Sequence, residues 1–333
     1  MKALQWSRPS RVDAFVPDAP ASVESAQDLA VRAAWHYYVE GLTQEQIATG
    51  LRLSRAKVVR LLQGARASGT VRIDVGAGDD EHVALERALV ARYALREAIV
   101  LGDKELEQGA AARRIGQAAG AWLARQLRPG IAVAVGWGET LDHAWRALPP
   151  TEVENASVVS LLGSPSLGRG VSAAEVARRL ADALHAECYQ LTAPVLVGDA
   201  ATRAALWTQP ALAALRRRAG NCDIALVSVG EVGAQATLFR EGVLSQEDLA
   251  SLRDAGAVGD VLCQFLDASG RLVDHPVNRR AMGLPLSELG RVPCVVLASG
   301  GARKAAALRA ALAALPVAVL VTDAQAAAEL LAE

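Results

Sequence analysis

The sequence predicts an α/β protein with a small winged helix-turn-helix head and a larger Rossmann-like body built on a mostly parallel sheet. Three observations lead there. From residue 81 onward, apolar runs of strand length alternate with helical segments, the pattern of a sheet covered by helices. Residues 41–73 carry two capped helical segments and a short alternating stretch instead. The chain has 333 residues, 52% of them hydrophobic, enough for one small domain and one large one.

The head begins with residues 26–40. Leu29, Ala33, Trp35 and Tyr37/Tyr38 recur there at roughly helical spacing, so the aromatics are expected in the core behind the next two helices. Thr43 and Gln46 form a capping-box pattern that satisfies free N–H groups at a helix start. Ile47, Ala48 and Leu51 give that helix an apolar face, and Ala48 is small enough for a close crossing. Leu51-Arg52-Leu53 is the expected turn. Glycine is common in the middle of such turns, so Arg52 either bears strain or bends a slightly different turn. Ser54 caps the second helix, whose Val58, Leu61 and Leu62 face inward.

Charge gives this head a direction. From Gly50 to Ile73 there are Arg52, Arg55, Lys57, Arg60, Arg66 and Arg72 and no acidic residue. A one-sign surface suits phosphate contacts, and Arg or Lys early in a recognition helix reaches base edges in the major groove. Candidate DNA-contacting residues are Thr43, Gln44, Ser54, Arg55, Lys57 and Arg60, with Arg72 on a wing formed by Val71-Arg72-Ile73. Residues 1–75 hold ten Lys/Arg and seven Asp/Glu, a balance of +3 that leaves −4 for the rest of a chain of net charge −1. A basic head on an acidic body fits a DNA-binding module carried by a second domain.

Residues 1–25 read as a flexible arm, and the Gly/Asp-rich stretch 74–80 as a hinge. Helices are then expected over 82–93, 108–127, 142–148, 173–184, two around 200–219, 303–314 and 324–331. Strands are expected over 97–101, 131–135, 157–162, 186–191, 223–229, 261–266, 292–298 and 317–321. The cysteines at 188, 222, 263 and 294 are too far apart for a disulfide or zinc framework, and read as buried free thiols of a cytoplasmic protein. No apolar run reaches membrane length, and the N-terminus lacks the apolar segment of a signal peptide.

Ligands of open parallel sheets bind beyond the carboxyl ends of the strands. Four such loops stand out. Gly136-Trp137-Gly138-Glu139-Thr140 follows one strand and opens a helix. Gly163-Ser164 follows another. Gly256-Ala257-Val258-Gly259-Asp260 offers a carboxylate for sugar hydroxyls. Gly300-Gly301-Ala302-Arg303-Lys304 places one of only four lysines in a first helical turn, where the macrodipole disfavours it unless an anionic partner lies near. The candidate effector residues are therefore Gly136, Gly138, Glu139, Thr140, Ser164, Asp260 and Lys304. No metal or cofactor is expected.

The stretches YYVEGLTQEQIATGLRLSRAKVVRLLQGARASGTVRI, VAVGWGETL, LLGS, DIALVSVG, GAVGDVLCQFLDASGRLV and VLASGGARKAAALRAAL, in that order, resemble the SorC family of bacterial sugar-operon regulators. The resemblance covers the chain from about residue 26. It implies a winged helix-turn-helix joined to a sugar-binding domain similar to glucosamine-6-phosphate deaminase and ribose-5-phosphate isomerase. It also implies a homotetramer, usually a repressor, whose operator binding responds to a sugar or sugar phosphate. Carried over by motif, Gly138 and Thr140 cradle a phosphate, Lys304 pairs with it and Asp260 meets sugar hydroxyls.

Glu139 departs from the family pattern, since relatives often carry a hydroxyl or basic residue there. Either the effector bears less negative charge or Glu139 faces solvent. No lysine stands in the middle of the body to form an imine. The rival reading, an active sugar-phosphate isomerase or deaminase with a DNA-binding head, needs a base and a second acid/base group. Asp260 is the only base offered, and His143 the only histidine near these loops. A nicotinamide sensor lacks the acidic residue that ribose binding requires at the end of the next strand.

Overall fold

The computed structural model describes residues 26–38, 40–68, 70–71, 79–102, 110–149, 152–165 and 171–332. The expected arm at 1–25, most of the hinge, and Arg72 and Ile73 of the expected wing lie outside them. The chain divides into two compact units, Met1–Gly76 and Ala77–Glu333.

The first unit contains α1 (Ala26–Tyr38), α2 (Gln44–Gly50) and α3 (Arg55–Ala67). The Thr43 hydroxyl accepts from the Gln46 N–H, and the Gln46 side chain accepts from the Thr43 N–H in return. Ser54 Oγ accepts from the Lys57 N–H at 3.3 Å. Ala33, Ala34, Ile47, Ala48, Val58, Leu62 and Ala65 form the core. Arg52 sits at φ 54°, in the left-handed region, so the turn is the ordinary one and Arg52 carries the strain that glycine avoids. Trp35 is not in the core. It is 58% exposed, because the buried stripe runs through Ala30, Ala33, Ala34 and Tyr37 and Trp35 lies one residue, about 100°, off that stripe.

The second unit opens with α4 (Asp79–Tyr93) and β1 (Glu97–Leu101), so Asp79 and Asp80 begin a helix rather than end a hinge. There follow α5 (Ala110–Ala124), β2 (Ala132–Val135), α6 (Glu139–Asp142), a 3-10 turn (Ala144–Ala147) and β3 (Ser157–Ser160). Next are α7 (Ala173–Leu184), β4 (Glu187–Tyr189), α8 (Ala200–Thr208), α9 (Pro210–Gly220), β5 (Ile224–Val227) and β6 (Val229–Glu231). The chain goes on through α10 (Thr237–Arg240), α11 (Gln246–Asp254), β7 (Gly259–Val261), β8 (Gln264–Leu266), α12 (Pro276–Arg280) and α13 (Leu286–Leu289). It ends with β9 (Cys294–Ala298), a second 3-10 turn (Ala302–Lys304), α14 (Ala305–Ala314), β10 (Val317–Asp323) and α15 (Ala324–Leu331).

Seven strands form one sheet in the order β1-β10-β9-β5-β2-β3-β4, every neighbouring pair parallel. Alternation along the strands divides the core: Val133 and Val135 pack with Ile115 and Val176 on one face, while Ala134 packs with Leu308 and Ala326 on the other. Parallel strands buried on both faces read as continuous apolar runs, which is why they were legible.

Two expected strands are broken. The run 223–229 ends its sheet pairing at Val227, and β6 leaves to start a three-stranded antiparallel sheet, β6-β7-β8. The run 261–266 is a hairpin: Val261 pairs with Gln264 across Leu262 and Cys263, both at positive φ (53° and 59°). A two-residue turn of this kind normally announces itself with Asn-Gly or Asp-Gly. Here the Asp260 carboxylate, accepting from the Cys263 N–H at 2.9 Å, supplies the support that turn residues usually give. The four cysteines are free, with Cys188 only partly buried. Among the described residues no helix is long and apolar enough to cross a membrane.

Candidate functional site

In the large sheet the chain moves from β2 outward through β3 to β4, then returns to the other side of β2 with β5 and moves outward again through β9 and β10. The order reverses between β2 and β5, which makes the crevice beyond their carboxyl ends the switch point where such folds bind ligands. A polar cavity of about 210 Å³ lies there.

Of the sequence candidates, Gly138, Glu139, Thr140, Asp260 and Lys304 line this cavity. They come from three separate stretches of chain. Gly138 sits at φ 115°, a conformation that only glycine adopts freely, and as N-cap of α6 its carbonyl accepts from the N–H of Asp142, the last residue of that helix. Thr140 is buried at 4% exposure. Gly136 does not line the cavity: its N–H donates to the Leu226 carbonyl at 2.9 Å, and a Cβ there would press on Leu262. Ser164 is not brought to the cavity either. Its backbone is bridged to residues 193–195, and it borders a separate shallow cleft with Pro165, Pro194 and Glu241.

The electrostatics centre on Asp260 and Lys304. Asp260 is 5% exposed, and burial pushes its pKa up to about 6, opposed by the Cys263 N–H and by Lys304. Gly230 leaves room for it, since a Cβ there would stand 2.1 Å from Asp260 Oδ1. Lys304 ends the second 3-10 turn and is the N-cap residue of α14. Burial lowers its pKa, while Glu231, Asp260 and Glu139 pull it back up and Arg303 pushes it down.

Sequence reasoning missed Trp137 and the whole contribution of β6 and α10: Glu231, Thr237 and Arg240 also line the cavity. The signal for Glu231 was present, because DIALVSVG ends the strand beside β2, and the rule applied to the other loops points to its carboxyl end as well. Nothing marked Arg240, which arrives on a four-residue helix. His143, the only histidine weighed for acid–base chemistry, is outside the cavity, with Nδ1 2.9 Å from Arg146 Nη1.

The Asp260 pKa gives a pH dependence with a definite sign. A ligand hydroxyl donating to this carboxylate binds the ionised form. Affinity is therefore expected to be full above pH 6 and to fall as the pH drops through it, by up to about tenfold per unit. Titrations across this range should show that fall in the wild type and none in Asp260→Asn. For folding the sign is opposite. A carboxylate whose pKa is raised in the folded state favours folding on the acid side, and that contribution is lost as the pH rises from the ordinary carboxylate range through 6.

In the first unit the structure leaves Arg55, Lys57 and Arg60 exposed on α3. Arg55 is its first residue, 3.9 Å from Glu45 in an exposed contact worth little by itself. Arg60 Nε leans back on the Ala56 carbonyl at 3.4 Å. The Thr43 and Ser54 hydroxyls are occupied as caps, and Gln44 opens α2 half-buried. Arg72 lies outside the described residues.

A parallel α/β unit with a polar, charge-lined crevice at its switch point is a small-molecule-binding module. Residues 80–332 match the Sugar-bind family of sugar-binding domains. The deoxyribonucleoside regulator of Bacillus subtilis is 30% identical over 298 residues, covering 89% of this chain and 95% of that protein. The transcriptional regulator LsrR of Klebsiella pneumoniae is 32% identical over 306 residues, covering 89% and 90%. The full-length sorbitol operon regulator SorC of Klebsiella pneumoniae shares the fold with a TM-score of 0.68 at 24% identity, over 92% of this chain and 99% of that one. The chain belongs to the SorC family of sugar-binding transcriptional regulators. It is a regulator of transcription, as these relatives are.

Proposed function

We propose that this protein represses a carbohydrate-metabolism operon as a cytoplasmic homotetramer, with α2 and α3 as a helix-turn-helix on operator DNA and a sugar or sugar phosphate as effector. The observation that carries the effector half is the convergence of Thr140, Asp260 and Lys304, from three stretches of chain, into one crevice at the switch point. The fold around that crevice is read as a relative of the deaminase and isomerase domains that has kept the pocket. Effector binding favours one state of the tetramer over another, and operator affinity follows the population. The DNA half rests on α3, whose exposed Arg55, Lys57 and Arg60 stand in a stretch with no acidic residue.

Footprinting of the full chain on the DNA upstream of its own operon, with and without sugars and their phosphates, tests both halves. Protection of a palindromic site that a sugar compound relieves is the expected result; no protected site removes the DNA reading. Arg55→Ala is expected to cost about 1–3 kcal/mol of operator affinity, the range for one side chain reading a base. Oligomer size and effector binding should be unchanged. If operator affinity survives, the recognition helix is misplaced.

A further inference from the structure

The cavity is electrically balanced. Among the described residues its charged side chains are Glu139, Glu231 and Asp260 on one side and Arg240, Arg303 and Lys304 on the other, three of each sign and a formal sum of zero. Each cation already has carboxylate company. Arg303 stands 3.8 Å from Glu231 and Arg240 3.5 Å from the buried Glu241, while Lys304 feels Glu231, Asp260 and Glu139 together. A phosphate dianion placed among them meets no uncompensated positive charge. It must also approach Glu139 at the mouth of the very loop that would hold it, and like charges there oppose binding.

The same groups suit hydroxyls well. The carboxylate of Asp260 spends one oxygen on the Cys263 N–H and lines the cavity. An ionised carboxylate only accepts, an ammonium only donates, and a hydroxyl does both. A row of hydroxyls can therefore bridge Asp260 and Glu231 to Lys304 with every group satisfied, which the oxygens of a phosphate dianion, acceptors only, cannot do beside a carboxylate. Building on the effector reading above, we propose that the ligand of this cavity is an uncharged polyhydroxy compound, a free sugar or polyol, and that Glu139 is the residue that excludes its phosphate ester.

The test pairs each parent with its ester on the full chain: ribose with ribose 5-phosphate, glucose with glucose 6-phosphate, sorbitol with sorbitol 6-phosphate, and inorganic phosphate alone. Thermal shift and calorimetry are the readouts, since a ligand selective for the folded state raises its melting temperature. The expected result is a shift with at least one parent at millimolar concentration and at least tenfold weaker binding of its ester. Glu139 lines the cavity while staying open to solvent, so Glu139→Gln does not endanger folding and should narrow that gap at least tenfold by raising affinity for the ester and for inorganic phosphate. An ester binding tighter than its parent overturns the proposal and leaves the effector reading intact. An unchanged gap in Glu139→Gln overturns the role of Glu139. No shift with any compound, together with operator binding indifferent to all of them, overturns the proposal and the effector reading alike.

Discussion

Gly120→Ala is expected to destabilise the sugar-binding unit by about 2 kcal/mol or more, and Gly116→Ala by a similar amount. The two glycines lie one turn apart on α5. A Cβ on Gly120 would stand 1.9 Å from the Ala144 carbonyl oxygen, and one on Gly116 would stand 2.0 Å from that of Thr140. Both obstacles are backbone, which cannot rotate aside as a side chain does. The better helix propensity of alanine returns at most about 1 kcal/mol, so overpacking wins. Urea unfolding measures the loss, and Gly64→Ala, on α3 of the first unit, is the contrasting case with the opposite sign for that unit. Gly64 is helical and exposed with nothing within 4 Å of its would-be Cβ, so that substitution should stabilise slightly. A neutral Gly120→Ala would mean that α5 does not approach the 3-10 turn so closely. Gly116→Ala carries a second consequence. Any relief of its clash moves Thr140, which lines the cavity, so effector binding should weaken along with stability.

Lys304→Ala is expected to weaken the effector by about 1.5–3 kcal/mol, the range for a hydrogen bond to a charged group. The loss has two sources. The donor disappears, and the carboxylates of Glu231, Asp260 and Glu139 lose the ammonium that pairs with all three, Glu231 alone keeping Arg303 at 3.8 Å. Lys304→Met keeps most of the volume and separates packing from charge. If Met binds the effector as the wild type does, the ammonium plays no part; if both variants lose binding while unfolding in urea like the wild type, Lys304 is a contact. Operator affinity without effector should be the same in all three proteins.

The legible parts of this fold share a cause. β9 is buried along its length and β10 at every residue but Ala318, so both read as apolar runs up to Thr322 and Asp323 at the end of β10, and the segments between strands carry helical periodicity. The capping box of Thr43 and Gln46 and the Ser54 cap of α3 are local contacts between residues three apart, and local contacts leave local signals. Arg52 shows the limit of such signals: its residue type argued against the left-handed turn that its position required. The hairpin at Leu262 and Cys263 went unread because an interior carboxylate, and not the turn sequence, stabilises it. Trp35 was expected in the core from a spacing that is only roughly helical, while its angular position on α1 put it outside.

The candidate site divides in the same way. Thr140 and Lys304 were singled out because each follows a strand end in a glycine-bearing loop, and Asp260 because a glycine-bearing stretch leads through it into an expected strand. By itself the sequence determined the alternation of strands and helices, the capped basic helix pair, and which loops carry glycines beside polar groups, since all of these depend on residues near one another in the chain. Only the tertiary structure decided that the order of strands reverses between β2 and β5, that Glu231 and Arg240 join the crevice there while Ser164 does not, and that three carboxylates balance three cations in it. Those outcomes depend on which distant segments pack side by side, and on fields that act across space between groups tens of residues apart.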